Sequence, residues 1–285
     1  MRIRDKIKKP QRPVVAYEIL PPREKDGTLN AYAETISSLL SQTHIDAINI
    51  PEVHEEVGRG ERPVSNQERG EPRKFGMLLQ DIVGIEAIIN RVVVHMPLKK
   101  QMEWIQQTYS KYEIDNLIIV GGESSKQNYP GPTVNESLEK ISKDNILREN
   151  NSLCGGICIP SRKKESKNLI KKSECGAEFF TTQVLCDSGN VIKMIKNYQQ
   201  RCDKENTFPR RILLSFAPVS SQKNIDFLKW LGVEIPKDTE RYLNGRPGSM
   251  TERSLDVAIE VLNEILAFIA NNNLKVPVGL NVEHI

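Results

Sequence analysis

Glu18 stands near the end of an apolar, β-type run, "VVAYEIL", that two prolines stop. A carboxylate is costly to bury there as an anion. The same burial raises its pKa, so an acid that water would ionise almost wholly keeps its proton near neutral pH. That is what a general acid requires. Other polar side chains stand at comparable places: Glu52 closes "DAINIPE", His95 lies in "NRVVVHM", Glu123 follows Gly121 and Gly122, and Arg162 follows "GGICIP". Gln183 lies in "FFTTQVL", and Asn281 with Glu283 in "GLNVEHI". Most are acids or amides. A phosphate site would want Lys, Arg or glycine amides at a helix start, and here only "VGGESS" offers backbone amides. The set suits a cation or a hydrogen-bonding heterocycle. Each member also has a structural alternative: an ion-paired glutamate with Arg23 or Arg162 as partner, a hydrogen-bonded core histidine at His95, and a glutamine at 183 that satisfies its neighbours.

Familiar catalytic signatures are missing. There is no GxxxxGK[ST] and no GxGxxG, and the run from His54 fails HExxH because position 58 is Gly. No G-x-S-x-G elbow supports a serine triad.

Eight apolar runs carry these residues: "VVAYEIL", "DAINIPE", "NRVVVHM", "NLIIVGG", "GGICIP", "FFTTQVL", "RILLSFAPV" and "VPVGLNVEHI". Helical spacing fills the gaps, with stripes at Leu29, Ala33, Ile36 and Leu40, at Met102, Ile105, Tyr109 and Tyr112, and at Leu255, Ala258, Leu262, Ile265 and Ile269. Thr133 with Glu136 and Ser249 with Glu252 read as capping boxes. Strands alternating with helices predict a parallel α/β sheet, and eight of them fit a (β/α)8 TIM barrel better than an open doubly wound sheet. In such barrels chemistry sits at the C-terminal rim of the strands, where the polar residues above cluster. The chain is read as one barrel domain over 1–285 that ends on its eighth strand, leaving the flank there for the N-terminal arm or a partner subunit. The charged segment from His54 to Arg73 is longer than most connections and reads as a lid or a solvated loop.

Composition narrows the function classes. With 285 residues and 38% hydrophobic content, the chain can bury a sizeable core. Lys plus Arg number 40 against 37 Asp plus Glu, with no long single-sign run, so no nucleic-acid or membrane partner is expected. No apolar run approaches the roughly 20 residues of a membrane span and none reads as a signal peptide, so the expected location is the cytoplasm. Five cysteines without a Cys-x-x-Cys pair read as structural thiols, and no metal site is expected.

Three separated stretches resemble the methylenetetrahydrofolate reductase family, in the same order and over nearly the whole chain. "YEILPPR" is similar to its first strand. "IKKSECGAEFFTTQVLCD" is similar to its Lys, Gly-Ala and Thr-Gln segment, and "FAPVSSQKNIDFLKWLGVEIPKD" to its later Pro-hydrophobic-Ser turn, helix and Val-x-Ile-Pro. The resemblance implies reduction of 5,10-methylenetetrahydrofolate, or a related pterin one-carbon carrier, to the 5-methyl form with NADH or NADPH. Glu18 then matches the acid that protonates N10, Gln183 the glutamine that holds the pterin, and Glu123 the Asp of an Arg-Gly-Asp loop that stabilises positive charge. Here that loop reads Gly121-Gly122-Glu123, without its Arg. Tyr129, Phe216 and Asn281 join the substrate side, and His95, Gly121, Gly122 and Lys172 the cofactor side. Where FAD-binding members carry Tyr-Pro-Glu and Phe-Tyr-Thr-Leu-Asn, this chain has "CIPSR" and "GLNVEHI". It is similar to a shorter branch that passes hydride from the nicotinamide to the folate directly. Lys172 matches a flavin-contacting lysine, which leaves FAD open.

Two rivals stand beside this reading. A barrel lyase or aldolase would need a Schiff-base lysine, and no Lys lies within a strand core. A non-catalytic folate-binding barrel, alone, as a homo-oligomer or partnering a methyltransferase, is compatible with the altered loop.

Overall fold

Short β-branched runs separated by helices can satisfy their backbones by pairing side by side in parallel, with the helices packed outside. The computed structural model describes residues 1–54, 61–64, 67–122, 127–245 and 247–284. Its elements are α1 (Ile3–Lys8), β1 (Val15–Glu18), α2 (Leu29–Leu40), β2 (Ala47–Pro51), α3 (Pro72–Val83), β3 (Ala87–Val92), α4 (Leu98–Tyr112) and β4 (Asn116–Val120). There follow α5 (Val134–Lys143), α6 (Asn145–Glu149), β5 (Leu153–Cys158), α7 (Glu165–Glu174), β6 (Phe179–Thr182), α8 (Gly189–Lys204) and β7 (Arg211–Phe216). The chain finishes with α9 (Gln222–Trp230), α10 (Lys237–Leu243), α11 (Met250–Asn271) and β8 (Val278–Val282). The eight strands pair in chain order and β8 closes on β1, every pair parallel. This is a TIM barrel.

Alternation along each strand divides the apolar residues into two layers. Ala16, Ala47, Ile88, Ile118, Leu153, Phe179 and Leu213 pack together with Ile3 and Ile7 of α1. The larger cluster lies between sheet and helices and includes Ile48, Ile50, Phe75, Ile89, Ile119, Phe180 and Ile212. The Phe179 ring fits because Gly155 lies beside it on β5: a Cβ there would come within 2.6 Å of the ring.

The N-terminal arm does not cover the flank at β8. It closes the barrel's lower end, where Arg211, 1% exposed, donates through Nε to Ile7 O at 3.1 Å, through Nη1 to Val278 O at 2.6 Å and through Nη2 to Lys9 O. On the outside, Val278 and Leu280 remain only partly buried.

Two sequence expectations shift. The third strand begins at Ala87 and ends at Val92, so His95 is not on it but in the turn before α4. "AIINRVVV" is continuous apolar sequence around Asn90 and Arg91, and Val93 and Val94 are buried as loop. On α11 the buried positions include Arg253, Ser254, Val261 and Ile265, while Leu255 is 44% exposed. Both capping boxes form as read. Cys154, Cys158 and Cys202 are buried free thiols, and burial pushes Cys154 up to about 12.

Candidate acid site at the barrel mouth

The strand register brings Glu18 of β1 level with Asn49 of β2, and Asn281 of β8 level with Ser215 of β7. Their side chains meet inside the barrel. Asn49 Nδ2 donates to Glu18 Oε2 at 3.1 Å and to Asn281 Oδ1 at 3.3 Å. Asn281 Nδ2 in turn donates to Ser215 Oγ and to Glu283 Oε1, both at 3.1 Å. Thr181 Oγ1 lies 3.2 Å from Ser215 Oγ. An amide relay thus joins two carboxyls with no cation in it. Burial pushes Glu18 well above the usual carboxylate range, the Glu283 charge pushes it further, and the amide hydrogen bonding of the relay only partly opposes them. Glu283 is raised as well, chiefly by burial, against hydrogen bonds from Ser215 and Asn281.

Glu52, just past β2, shows the opposite environment. Arg91, 2% exposed, donates to Glu52 Oε1, Val92 N donates to its Oε2 at 3.1 Å, and His54 Nε2 lies 3.1 Å from the same oxygen. Burial works to raise this carboxyl, but the His54 hydrogen bond and the Arg91 charge outweigh it and hold it below the usual range. Arg91 is itself fixed by Gln101 Oε1 at 2.9 Å and by the Trp104 ring, 4.1 Å from its guanidinium carbon. The ion-paired structural alternative is therefore realised at Glu52, not at Glu18. Arg23 pairs instead with Asp26 at 2.8 Å.

Beside this ion pair opens a cavity of ≈330 Å³ lined by Glu52, His54, His95, Gly121, Gly122, Arg162 and Lys172, among others. The four residues assigned to a cofactor all border it. His95 packs against His54 with the rings tilted by 42° at 4.7 Å between centroids, and meets the Tyr129 ring edge-on at 5.8 Å. A Cβ at Gly122 would lie 2.3 Å from Tyr129 Cζ, so glycine lets the tyrosine close over it. Lys172 donates to Ile157 O and lies 3.5 Å from the buried Glu165.

Other assigned residues lie elsewhere. Gln183, one residue past β6, donates to Leu231 O at 2.9 Å and lines a separate crevice with Pro160, Ser161 and Asp187. Phe216 is 6% exposed and packs in the outer cluster between sheet and helices, so its ring is a packing group and not a platform in the mouth. Glu123 lies outside the described residues, as does much of the 54–73 segment. Of that segment, Arg62 reaches α9, its guanidinium 5.2 Å from the Phe227 ring centroid and 5.4 Å from that of Trp230.

Asn49 of the relay and the buried Asn90 were not singled out from sequence. Each buries a side-chain oxygen, Oδ1, with no hydrogen-bond partner among the described residues. Asn49 is 1% exposed and Asn90 8%. Unsatisfied buried acceptors are costly, and in a ligand site they wait for a donor. The available signal was an asparagine inside an apolar run, on the same strand parity as Glu18. Among the described residues no group of His, Cys, Asp and Glu is arranged to hold a metal ion, and no helix is long and apolar enough to cross a membrane.

No family model matches the chain, and no curated protein matches it. Among solved structures, an uncharacterized protein from Clostridium thermocellum that binds two copies of 5-methyl-5,6,7,8-tetrahydrofolic acid is similar over 98% of this chain and 91% of its own, at 20% identity and a TM-score of 0.76. A 2,3-dimethylmalate lyase matches over 96% of this chain and 88% of its own at 10% identity and a TM-score of 0.47. An oxaloacetate acetylhydrolase matches over 96% and 87% at 10% identity and a TM-score of 0.48. The likeness to the first is a likeness of fold.

Proposed function

We propose that this barrel reduces 5,10-methylenetetrahydrofolate, or a related pterin one-carbon carrier, to its 5-methyl form with NADH or NADPH. The observation that carries the reading is Glu18: a half-buried carboxyl at the mouth with no cationic partner among the described residues and a raised pKa. The chemistry needs such a group. Glu18 gives its proton to N10, the bond from the bridging carbon to N10 breaks with its electron pair going to N10, and a 5-iminium cation remains. Hydride from the dihydronicotinamide then adds to the iminium carbon. A carboxylate left nearby stabilises the cation in a site of low dielectric. Glu123 takes that role by resemblance.

The unsatisfied oxygens of Asn49 and Asn90 suit the N–H donors of a pterin ring. The fold is also that of a protein that binds 5-methyltetrahydrofolate. His54 and Arg162 around the neighbouring cavity suit the anionic parts of a dinucleotide. Lys172 spends its ammonium on Ile157 O and Glu165 and does not offer it to a flavin, so hydride transfer is assigned to the nicotinamide without bound FAD. Gln183 reaches the pterin only by releasing Leu231 O, which favours Asn49 over Gln183 as the ring's anchor.

A second reading, a non-catalytic folate binder serving a methyltransferase, draws on the same commitment of Gln183 and on the loop that lacks its Arg. An anaerobic assay separates the two. The reductase reading expects NADH or NADPH oxidation matched one for one by 5-methyl product, in a protein without a flavin absorption band. Binding of 5-methyltetrahydrofolate without turnover on either nicotinamide would sink it in favour of the binder.

A further inference from the structure

The acid site contains a second carboxyl that the reaction above does not use. Glu283 lies just past β8, and its Oε1 accepts from Asn281 Nδ2 at 3.1 Å. Through Asn281 Oδ1 and Asn49 Nδ2 the same amides reach Glu18 Oε2. The groups packed against the pair from the other strands, Asn49 of β2, Thr181 of β6 and Ser215 of β7, are all neutral. In the chain itself the titratable neighbours are Tyr17 beside Glu18 and the exposed His284 beside Glu283. Among the described residues no Lys, Arg or His side chain forms an ion pair with either carboxyl.

We propose that Glu283 is the positioning residue for the acid: the two carboxyls, joined through Asn281 and Asn49, hold one proton between them, and the charge resting on Glu283 keeps that proton on Glu18. Two carboxylates close together without a cation repel, so the second of them ionises at a higher pH than the first. Each carboxyl accepts one amide N–H, Glu18 from Asn49 and Glu283 from Asn281, and Glu283, raised to about 7 while Glu18 is raised well above the usual range, ionises first, so the charge settles there as pH rises through neutrality. Glu18 Oε2 is occupied as an acceptor from Asn49, which leaves the proton on Oε1. When that O–H bond breaks toward N10, Glu18 becomes the second anion of the pair, and the repulsion drives it to recover a proton from water at the mouth. The pair is thus a device that reloads the acid after each turnover. It rests on the reductase reading only for the use made of the proton.

The test is a titration of the ligand-free full chain by carboxyl ¹³C NMR on glutamate-labelled protein, with wild type, Glu283→Gln, Glu283→Asp and Glu18→Gln. In Glu283→Gln the Glu18 carboxyl titrates at least about one pH unit lower, and Glu283→Asp, which keeps the charge, leaves it raised. In the wild type the order of the two steps, Glu283 before Glu18, gives the answer even if Glu283→Gln does not fold, and Glu18→Gln leaves the Glu283 titration in place because Glu18 is still neutral when Glu283 ionises. A Glu18 titration that does not move in Glu283→Gln, or that precedes that of Glu283 in the wild type, overturns the proposal. No substrate enters this experiment. A coupled titration in a protein without turnover would remove the reductase and keep the pair, and turnover with uncoupled carboxyls would do the reverse.

Discussion

The two ends of the barrel both bury polar side chains, with opposite results. At the lower end Arg211 is almost fully enclosed, and each of its three nitrogens donates to a backbone carbonyl, two of them from the N-terminal arm. That end is satisfied and shut. At the upper end two carboxyls are joined through amides, and among the described residues no cation pairs with them and two asparagine oxygens are buried without donors. Polar burial that is fully paired specifies and stabilises a fold. Polar burial left incomplete costs stability, and it persists where a ligand or a proton completes it.

The largest test of this contrast is at the bottom. Arg211→Met leaves three carbonyls without their donor and releases the N-terminal arm, and should cost about 3 kcal/mol or more in urea unfolding. A cost below about 1 kcal/mol would show that the lower end is not the structural one. At the top, Asn49→Ala should reverse the pattern: about 1 kcal/mol in stability but a weakening of 5-methyltetrahydrofolate binding on the order of tenfold, read by calorimetry. Equal binding by the variant would remove Asn49 from the ligand site.

The pH dependence of stability gives a smaller effect with a definite sign. Glu18 and Glu283 are raised in the folded state, so the fold binds more protons than the unfolded chain above the ordinary carboxyl range. Their contribution is fully present below about pH 4 and is lost as pH rises through the folded values, by at most about 1.4 kcal/mol per pH unit for each proton. Thermal melts should therefore show Glu18→Gln losing less stability than wild type between about pH 5 and pH 8. A steeper loss in the variant would contradict the raised carboxyl.

How much of this was legible depended on what each residue's neighbours were. The eight strands were readable because each is a short aliphatic run with its own boundaries, and Glu18 because an acid interrupts one of them before two prolines. The ends were harder. The apolar run from Ala87 to Val94 outlasts its pairing, so His95 was read onto the strand when it sits in the turn. The helix α11 carries Leu255, Ile259 and Leu266 on its exposed side as well as Val261 and Ile265 on its buried side, and periodicity alone could not choose the face. Gln183 was assigned by resemblance and Phe216 as an aromatic that could stack on a ring or simply pack, and no local pattern reveals that one is tied to the end of α9 and the other turned into the outer core. Asn49 and Asn90 looked like ordinary members of strands, because what distinguishes them is register across the barrel, a property of the closed sheet and not of any segment.

The central claim is that Glu18 serves as a loaded acid, and kinetics separated from binding test it most directly. Turnover of methylenetetrahydrofolate with NADH or NADPH should fall by about 10²- to 10⁴-fold in Glu18→Gln, while 5-methyltetrahydrofolate binds the variant as tightly as the wild type. A variant that turns over at the wild-type rate, or that loses turnover only because it no longer binds the folate, would contradict that assignment.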